Sequence, residues 1–326
     1  MLNFIEIDLA ISLIIQQFTA FTVPVMRLFS ALGGLSVYIL LITLITWCVH
    51  YKAGIYLGIL TSIAGGLNSS LKNIVRLPRP YHISEEIIAY KTYSGFGMPS
   101  GHAQNAAMFW GLSFQRIKSN TARIVFVFLA FVIGLSRIVL GVHSFAQVIL
   151  GWAIGVLLLF SFLAIEKKFD GEKSITIFSI ILLPVLAIVS VVTMLVYGDF
   201  TGAEALTAIT DYDILAPQYA HGTEVTLTLG AAAGFLIGYL LLTKKYIVKV
   251  RTIWWKQAIK TAAALAVLLA YDLLSGLLER IPNYYLYSLS LLGASFLFGI
   301  AITFLVPLLF GKLGLMDLSK KKDSAI

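Results

Sequence analysis

SFAQVILGWAIGVLLLFSFLAI, residues 144–165, is a run of 22 residues without a single charge. Wound as one helix it is about 33 Å long, close to the thickness of the hydrocarbon core of a bilayer. The run is not isolated in the 326-residue chain, which is 59% hydrophobic, only 12% charged and has a mean hydropathy of +0.91. Soluble domains carry roughly a quarter charged residues, so solvated globular, disordered, coiled-coil and collagen-like chains are excluded. Outward from residue 144, comparable runs occupy 35–51, 53–71, 100–117, 124–141, 174–197, 224–243, 258–278 and 286–310. They predict an all-α integral membrane protein, a polytopic helical bundle with about nine transmembrane helices. Residues 7–31 are apolar but interrupted by Gln16, Gln17, Pro24 and Arg27, a pattern expected of an interfacial helix or two short ones, with a tenth span as the alternative. Cys48 is the only cysteine, which leaves no disulfide framework or thiolate metal site within this chain. The opening residues lack a positive n-region, so no removable signal peptide is expected.

Nine spans divide the loops into two sets. One set, from Lys52 to Lys320, Lys321 and Lys322, holds 17 of the 24 Lys and Arg; the other holds Arg27, Lys72, Arg76, Arg79, Lys91, Arg137 and Arg280. Basic residues are retained on the cytoplasmic side during insertion, which puts the C terminus inside and the N terminus outside. The formal net charge of +8 is therefore a matter of topology, and no nucleic acid is expected as a partner. The loop 198–223 carries Asp199, Glu204, Asp211 and Asp213 without Lys or Arg and reads as a solvated outer loop. No internal repeat or Pro/Gly/Ser-rich linker divides the chain. The expected organisation is one membrane domain, with interfacial helices over 1–34, a core over 35–165 and further transmembrane helices over 166–326.

Four of the seven outer basic residues fall in three short outer segments that combine cations, histidines and a helix start. In Lys72-Asn-Ile-Val-Arg76-Leu-Pro-Arg79-Pro80, the spacing i, i+4, i+7 places three cations on one face if the helix continues to the prolines. Lysine and arginine together suit a doubly charged phosphate. Snorkelling at the interface is the competing explanation for Arg76. In Pro99-Ser100-Gly101-His102, Ser100 is a candidate N-cap, so the first backbone N–H groups and the positive end of the helix dipole face the same side. Gly101 lets the backbone approach an anion, and His102 can exchange a proton near neutral pH. In Ser136-Arg137-x5-His143-x3-Gln147, the amide of Gln147 can hold one imidazole nitrogen and leave the other free to attack phosphorus. Arg137 precedes the turn and can reach the same phosphate.

Lys-x6-Arg-Pro, Pro-Ser-Gly-His and Ser-Arg-x5-His, in this order, resemble the three signature motifs of the type 2 phosphatidic acid phosphatase (PAP2) superfamily. The resemblance implies a six-helix PAP2-like core over most of 35–165. Gln147 stands where most members have Asp, and the glucose-6-phosphatase and dolichyl-diphosphate phosphatase branches share that Gln. Nine spans, the Gly-rich run Leu229–Gly238 and Asp272 also resemble glucose-6-phosphatase. The activity that the resemblance implies is that of a metal-independent membrane phosphatase acting through a phosphohistidine. The expected catalytic residues are His143 as nucleophile, His102 as acid then base, and Gln147. Lys72, Arg79, Ser100, Gly101 and Arg137 are the expected phosphate ligands, with Arg76 and His82 as secondary candidates. No metal and no cofactor are expected.

A lipid phosphate is the first expectation for the substrate, because the site lies at the membrane surface under an aromatic loop, 81–98, with Tyr81, Tyr90, Tyr93 and Phe96. A sugar phosphate is the alternative, as is a phosphotransferase with the same intermediate. From other classes, a transporter or an inactive binding protein remain as readings. Membrane lipids and the phosphorylated substrate are the expected partners, with no obligatory protein partner. The expected location is a bacterial inner membrane with the site on the extracytoplasmic side. Asp272, inside the eighth span, is expected to bond a group on another helix.

Overall fold

A computed structural model of the chain describes residues 2–93, 95–169, 171–197 and 219–321. The acidic residues Asp199, Glu204, Asp211 and Asp213 lie outside the described residues. The helices run in chain order as α1 (Leu2–Thr19), α2 (Val23–Leu32), α3 (Leu35–Leu44), α4 (Tyr51–Val75), α5 (Gly101–Arg116), α6 (Asn120–Val139), α7 (Phe145–Lys168) and α8 (Glu172–Tyr197). They continue as α9 (Tyr219–Lys245), α10 (Trp254–Leu278), α11 (Tyr284–Ile300) and α12 (Val306–Lys312). Strands β1 (Tyr246–Lys249) and β2 (Asp317–Lys320) pair antiparallel, with Tyr246 opposite Lys320. The chain is an all-α polytopic membrane protein.

Among the described residues, seven helical stretches are long and apolar enough to cross a membrane: 4–32, 120–139, 145–168, 172–189, 223–245, 254–278 and 284–312. The nine segments read from the sequence are all helical, but three of them fall outside that set. Leu35–Val49 is a short apolar helix, and α5 has only 16 residues. Helix α4 is long enough, but Asn68, Ser69, Ser70, Lys72 and Asn73 dilute its last turns. The two polar helices carry two of the three motif segments, so the loss of apolarity coincides with the chemistry.

The chain groups into two compact units that interleave along the sequence. One comprises 1–34, 64–164 and 188–225; the other comprises 35–63, 165–187 and 226–326. In the first, α1 and α2 pack on α6, and α5 packs on α6. Of the expected interruptions of the N-terminal stretch, Gln16 is turned into the protein, whereas Gln17, Pro24 and Arg27 are exposed. Gln16 is 3% exposed and Ser12 3%, while Ile14 is 53% and Phe18 77% exposed. Helix α1 therefore turns Ser12 and Gln16 inward while Ile14 and Phe18 face outward, an arrangement suited to a surface that meets lipid, although Glu6 and Gln17 are exposed on the same helix.

In the second unit, Gly230, Gly234 and Gly238 form a stripe on α9 that faces α11. A Cβ at Gly234 would run into the Phe296 carbonyl oxygen, so the two helices touch backbone to backbone. Asp272 on α10 corrects an expectation: its side chain is exposed and bonds no other helix among the described residues, and Ser275 Oγ donates only to its backbone oxygen at 3.0 Å. Helix α10 turns this face outward with Leu265, Leu269 and Leu273.

Candidate active site

The three motif segments meet within the first unit. Helix α4 ends at Val75, and Arg76 adopts a left-handed conformation at φ 53°. The helix thus stops short of Pro78, because the residue before a proline is driven out of the helical region and the break propagates upstream. This corrects the reading of three cations on one helical face. Lys72 sits in the last turn of α4, Arg76 turns back to donate from Nε to the Asn73 carbonyl at 2.8 Å, and Arg79 reaches the site from an extended segment.

Helices α5 and α7 are brought into contact by small residues. A Cβ at Gly151 would lie 2.5 Å from the Ser100 carbonyl oxygen, and one at Gly155 would overlap the Gln104 carbonyl. The Ser100 backbone N–H also donates to the Gln147 carbonyl at 2.9 Å, which fastens the start of α5 to the first turn of α7. Asn68 on α4 donates to Pro99 O at 3.2 Å and to Gln104 Oε1 at 2.9 Å, holding the second motif from the other side. Ser100 occupies the N-cap position of α5, but its hydroxyl does not cap. Its Oγ is buried without a hydrogen-bond partner among the described residues.

His143 lies between α6 and α7. Gln147 Nε2 donates to the Pro78 carbonyl at 2.8 Å, which fixes the amide so that Oε1 faces His143 Nδ1 at 3.0 Å. In the neutral ring Nδ1 therefore carries the proton and Nε2 is the unprotonated nitrogen, whose lone pair accepts from Arg79 Nη1. Arg79 Nη1 stands 3.2 Å from that Nε2 and also donates to the Val142 carbonyl at 3.1 Å. Burial, then the charges of Arg79, Arg137 and Lys72, hold the His143 imidazole well below the usual histidine value, against the hydrogen bond that its Nδ1 donates to Gln147 Oε1. The nucleophile candidate is thus neutral at physiological pH. Burial also brings Arg79 down to about 10, which leaves it charged.

Tyr93, in the 81–98 loop, ties the cluster together. Its ring lies under the Arg79 guanidinium at 5.4 Å and the Arg137 guanidinium at 4.8 Å, with Lys91 Nζ at 4.8 Å. The same ring is 6.4 Å from that of His102. Burial pushes the Tyr93 phenol up, but the Arg137 charge and hydrogen bonds from Arg137 and Lys91 outweigh it and leave the phenol below its ordinary value. Tyr81 holds the loop, donating to Tyr93 O at 2.8 Å and accepting from Tyr93 N at 3.1 Å. His82 packs on Tyr81, and burial together with the Arg79 charge lowers its pKa.

Relative exposures are 7% for Lys72, 3% for Arg79, 1% for Arg137, 3% for His143 and 0% for Ser100. Arg137 donates to Ser30 on α2 and, at 3.3 Å, to Tyr93 Oη, while its Nε is buried without a partner among the described residues. Glu224, which accepts from Ser69 Oγ at 2.5 Å, partly offsets the charge of Lys72. Buried cations and orphaned donors are costly unless an anion meets them. The cluster therefore has the form of an oxyanion cradle facing a neutral imidazole nitrogen.

Residues that the motifs did not reveal support it from the N terminus. Asp8 Oδ1 accepts from the Ala146 backbone N–H at 2.7 Å, and Ser12 Oγ accepts from that of Phe145 at 2.8 Å. These are the first N–H groups of α7, so α1 caps the helix that carries Gln147 from outside that helix. Gln16 continues the stripe, donating to Ile88 O at 2.9 Å and Val139 O at 3.2 Å and accepting from Ile88 N at 3.0 Å. A signal was available: Asp8, Ser12 and Gln16 recur every four positions along a mostly apolar helix.

Comparison with known proteins is consistent across the chain. The PAP2 superfamily matches residues 52–171, and the transmembrane extension of PAP2 superfamily phosphatases matches residues 226–320. The chain is 29% identical over 100 residues to a dolichyldiphosphatase of Saccharomyces cerevisiae, a match over 28% of this chain and 42% of that protein. The matched region thus spans less than half of that relative's length. A solved structure, a transmembrane PAP2-type phosphatidylglycerolphosphate phosphatase from Bacillus subtilis, is similar at 24% identity with a TM-score of 0.44, over 51% of this chain and 87% of that one. With both family regions matched in order and the three motifs inside the first, the chain is a membrane member of the PAP2 superfamily.

Proposed function

We propose that this protein is a membrane phosphatase that hydrolyses a phosphate monoester or diphosphate on a lipid through a phosphohistidine at His143. The observation that carries the reading is the buried set of Lys72, Arg79 and Arg137 with the orphaned donors Ser100 Oγ and Arg137 Nε, whose charges act on a neutral His143 with Arg79 Nη1 3.2 Å from its unprotonated Nε2. A dianionic phosphate satisfies these groups at once. In the first step the Nε2 lone pair forms an N–P bond as the P–O bond to the leaving group breaks, and His102 gives its proton to the departing oxygen. In the second, His102 takes a proton from water, the water oxygen bonds to phosphorus and the P–N bond breaks. Lys72, Arg79, Arg137, Ser100 and the Gly101 N–H hold the equatorial oxygens while charge redistributes. Gln147 keeps the proton on Nδ1 without adding a charge. Membership of the superfamily and the name of the dolichyldiphosphatase relative support a lipid-linked phosphate as substrate.

The test is phosphate release by purified protein from phosphatidic acid, phosphatidylglycerol phosphate, undecaprenyl diphosphate and glucose 6-phosphate. A lipid phosphate is expected to be hydrolysed and glucose 6-phosphate to be poor. His143→Ala should abolish turnover and trapping of labelled phosphate, and His102→Ala should lose a factor of roughly 10² to 10⁴. Undiminished hydrolysis by His143→Ala would refute the assignment.

A further inference from the structure

The second unit holds a cavity of about 750 Å³ whose walls come from four separate stretches of chain: 49–52, 171–172, 239–251 and Lys321. That volume is in the range of ligand pockets. Its aromatic wall includes Tyr51 and Tyr239, 4% and 2% exposed, packed with ring centroids 6.2 Å apart. Tyr56 Oη, bonded to Gly171 O at 2.5 Å, anchors the 171–172 turn against this side of α4. Lys52, Lys249, Arg251 and Lys321 line the same cavity, against Glu172 as the single lining carboxylate among the described residues.

The ion pairs do not consume these charges. Lys321 meets Glu172 at 3.8 Å, both side chains a little under half exposed, and Lys249 meets Asp317 at 4.0 Å with both side chains mostly exposed, settings in which solvent weakens such pairs. Lys52 Nζ rests over the Tyr56 ring at 5.3 Å, and Arg251 has no hydrogen-bond or ion-pair partner among the described residues. Retention of basic residues on one side of a membrane explains how many there are. It does not explain why four of them, from three segments distant in sequence, converge on one cavity backed by phenol rings.

We infer that this cavity binds a phosphate-bearing anion with an apolar or aromatic body, a second anion site built by segments outside the three motifs. Arginine supplies paired donors to phosphate oxygens, the lysines supply point charges, and the tyrosine wall covers the organic part. The shared chemistry fits either an anionic lipid headgroup or a soluble organic phosphate.

Calorimetry of the purified full chain with inorganic pyrophosphate, in parallel with native mass spectrometry of the chain in phosphatidylcholine nanodiscs containing phosphatidic acid, tests the site. Wild-type protein should bind two equivalents of at least one probe. Lys52→Gln/Arg251→Gln should weaken one equivalent by at least tenfold and leave phosphate release unchanged; Arg251→Gln alone, at an exposed position, guards against misfolding of the pair. Arg137→Ala should remove the other equivalent, so an unaltered Arg137→Ala titration counts against the proposed phosphatase site and not against this one. Binding of pyrophosphate marks a soluble ligand, and binding of phosphatidic acid alone marks a headgroup. Equal binding of both probes by wild type and both Lys52/Arg251 variants overturns the inference.

Discussion

Asp8→Ala removes an acceptor that lies 135 residues before His143, the proposed nucleophile, in sequence yet caps its supporting helix. In the structure Asp8 Oδ1 meets the Ala146 N–H at 2.7 Å, immediately before Gln147, whose amide sets the proton on His143 Nδ1. Loss of an N-cap acceptor costs about 0.5–2 kcal/mol. Part of that, about 0.3–1 kcal/mol, is the interaction of the carboxylate charge with the helix dipole. If the cost is felt as fraying of the first turn of α7, kcat falls by roughly 2- to 30-fold, since 1.36 kcal/mol is a factor of ten. KM should change little, because Lys72, Arg79 and Arg137 belong to other segments. Asp8→Asn keeps an acceptor and discards the charge, so it should recover most of the loss. Glu6→Ala, on an exposed position of the same helix, controls for the charge of α1. The assay is phosphate release from a lipid phosphate in mixed micelles, with kcat and KM separated. Equal kcat in Asp8→Ala and wild type, or equal losses in Asp8→Ala and Glu6→Ala, refutes the capping argument.

The depressed pKa of His143 predicts a pH profile. The unfolded value is near 6.5 and the folded value is lower, so protonation on acidification disfavours the folded, active form. The acid limb of kcat/KM should lie below pH 6.5, and thermal stability should fall as pH drops from 6.5 through the folded value; a limb at or above 6.5 contradicts the geometry. Arg79→Gln removes the first of the charges that depress His143, so it should move that limb upward while weakening substrate binding. Gln147→Ala frees Nδ1 from its acceptor and should lower kcat by about tenfold or more, with recovery in Gln147→Glu limited because a carboxylate would oppose the Pro78 carbonyl. Gly155→Leu should disrupt packing of α7 on α5 and reduce folded yield in a detergent thermal-shift assay, whereas Gly276→Leu, where nothing lies within 4 Å, should leave yield unchanged.

The polytopic helical character was readable because apolar runs of bilayer length need no partner to be recognised: each helix satisfies its own backbone. The candidate residues were also readable, since Lys72, Arg79, Ser100, His102, Arg137, His143 and Gln147 sit in short segments of fixed spacing. Their connections were not. The continuation of α4 to the prolines was a local extrapolation, and the helix ends earlier at Val75. Asp272 was expected to have a partner from its charge alone, but the packing of α10 leaves it exposed. Gln16 looked like an interruption of an apolar run until α1 was seen to turn its polar stripe toward Ile88 and Val139.

By itself the sequence determined the class of the protein, its helical segments and the chemical types gathered in three motifs, because those depend on hydropathy, periodicity and spacing within a few turns. Tertiary structure alone decided which nitrogen of His143 carries the proton, that Tyr93 lies under both guanidinium groups, and that α1 caps α7. These depend on contacts between groups tens to more than a hundred residues apart, whose directions are set by backbone paths that no local pattern encodes.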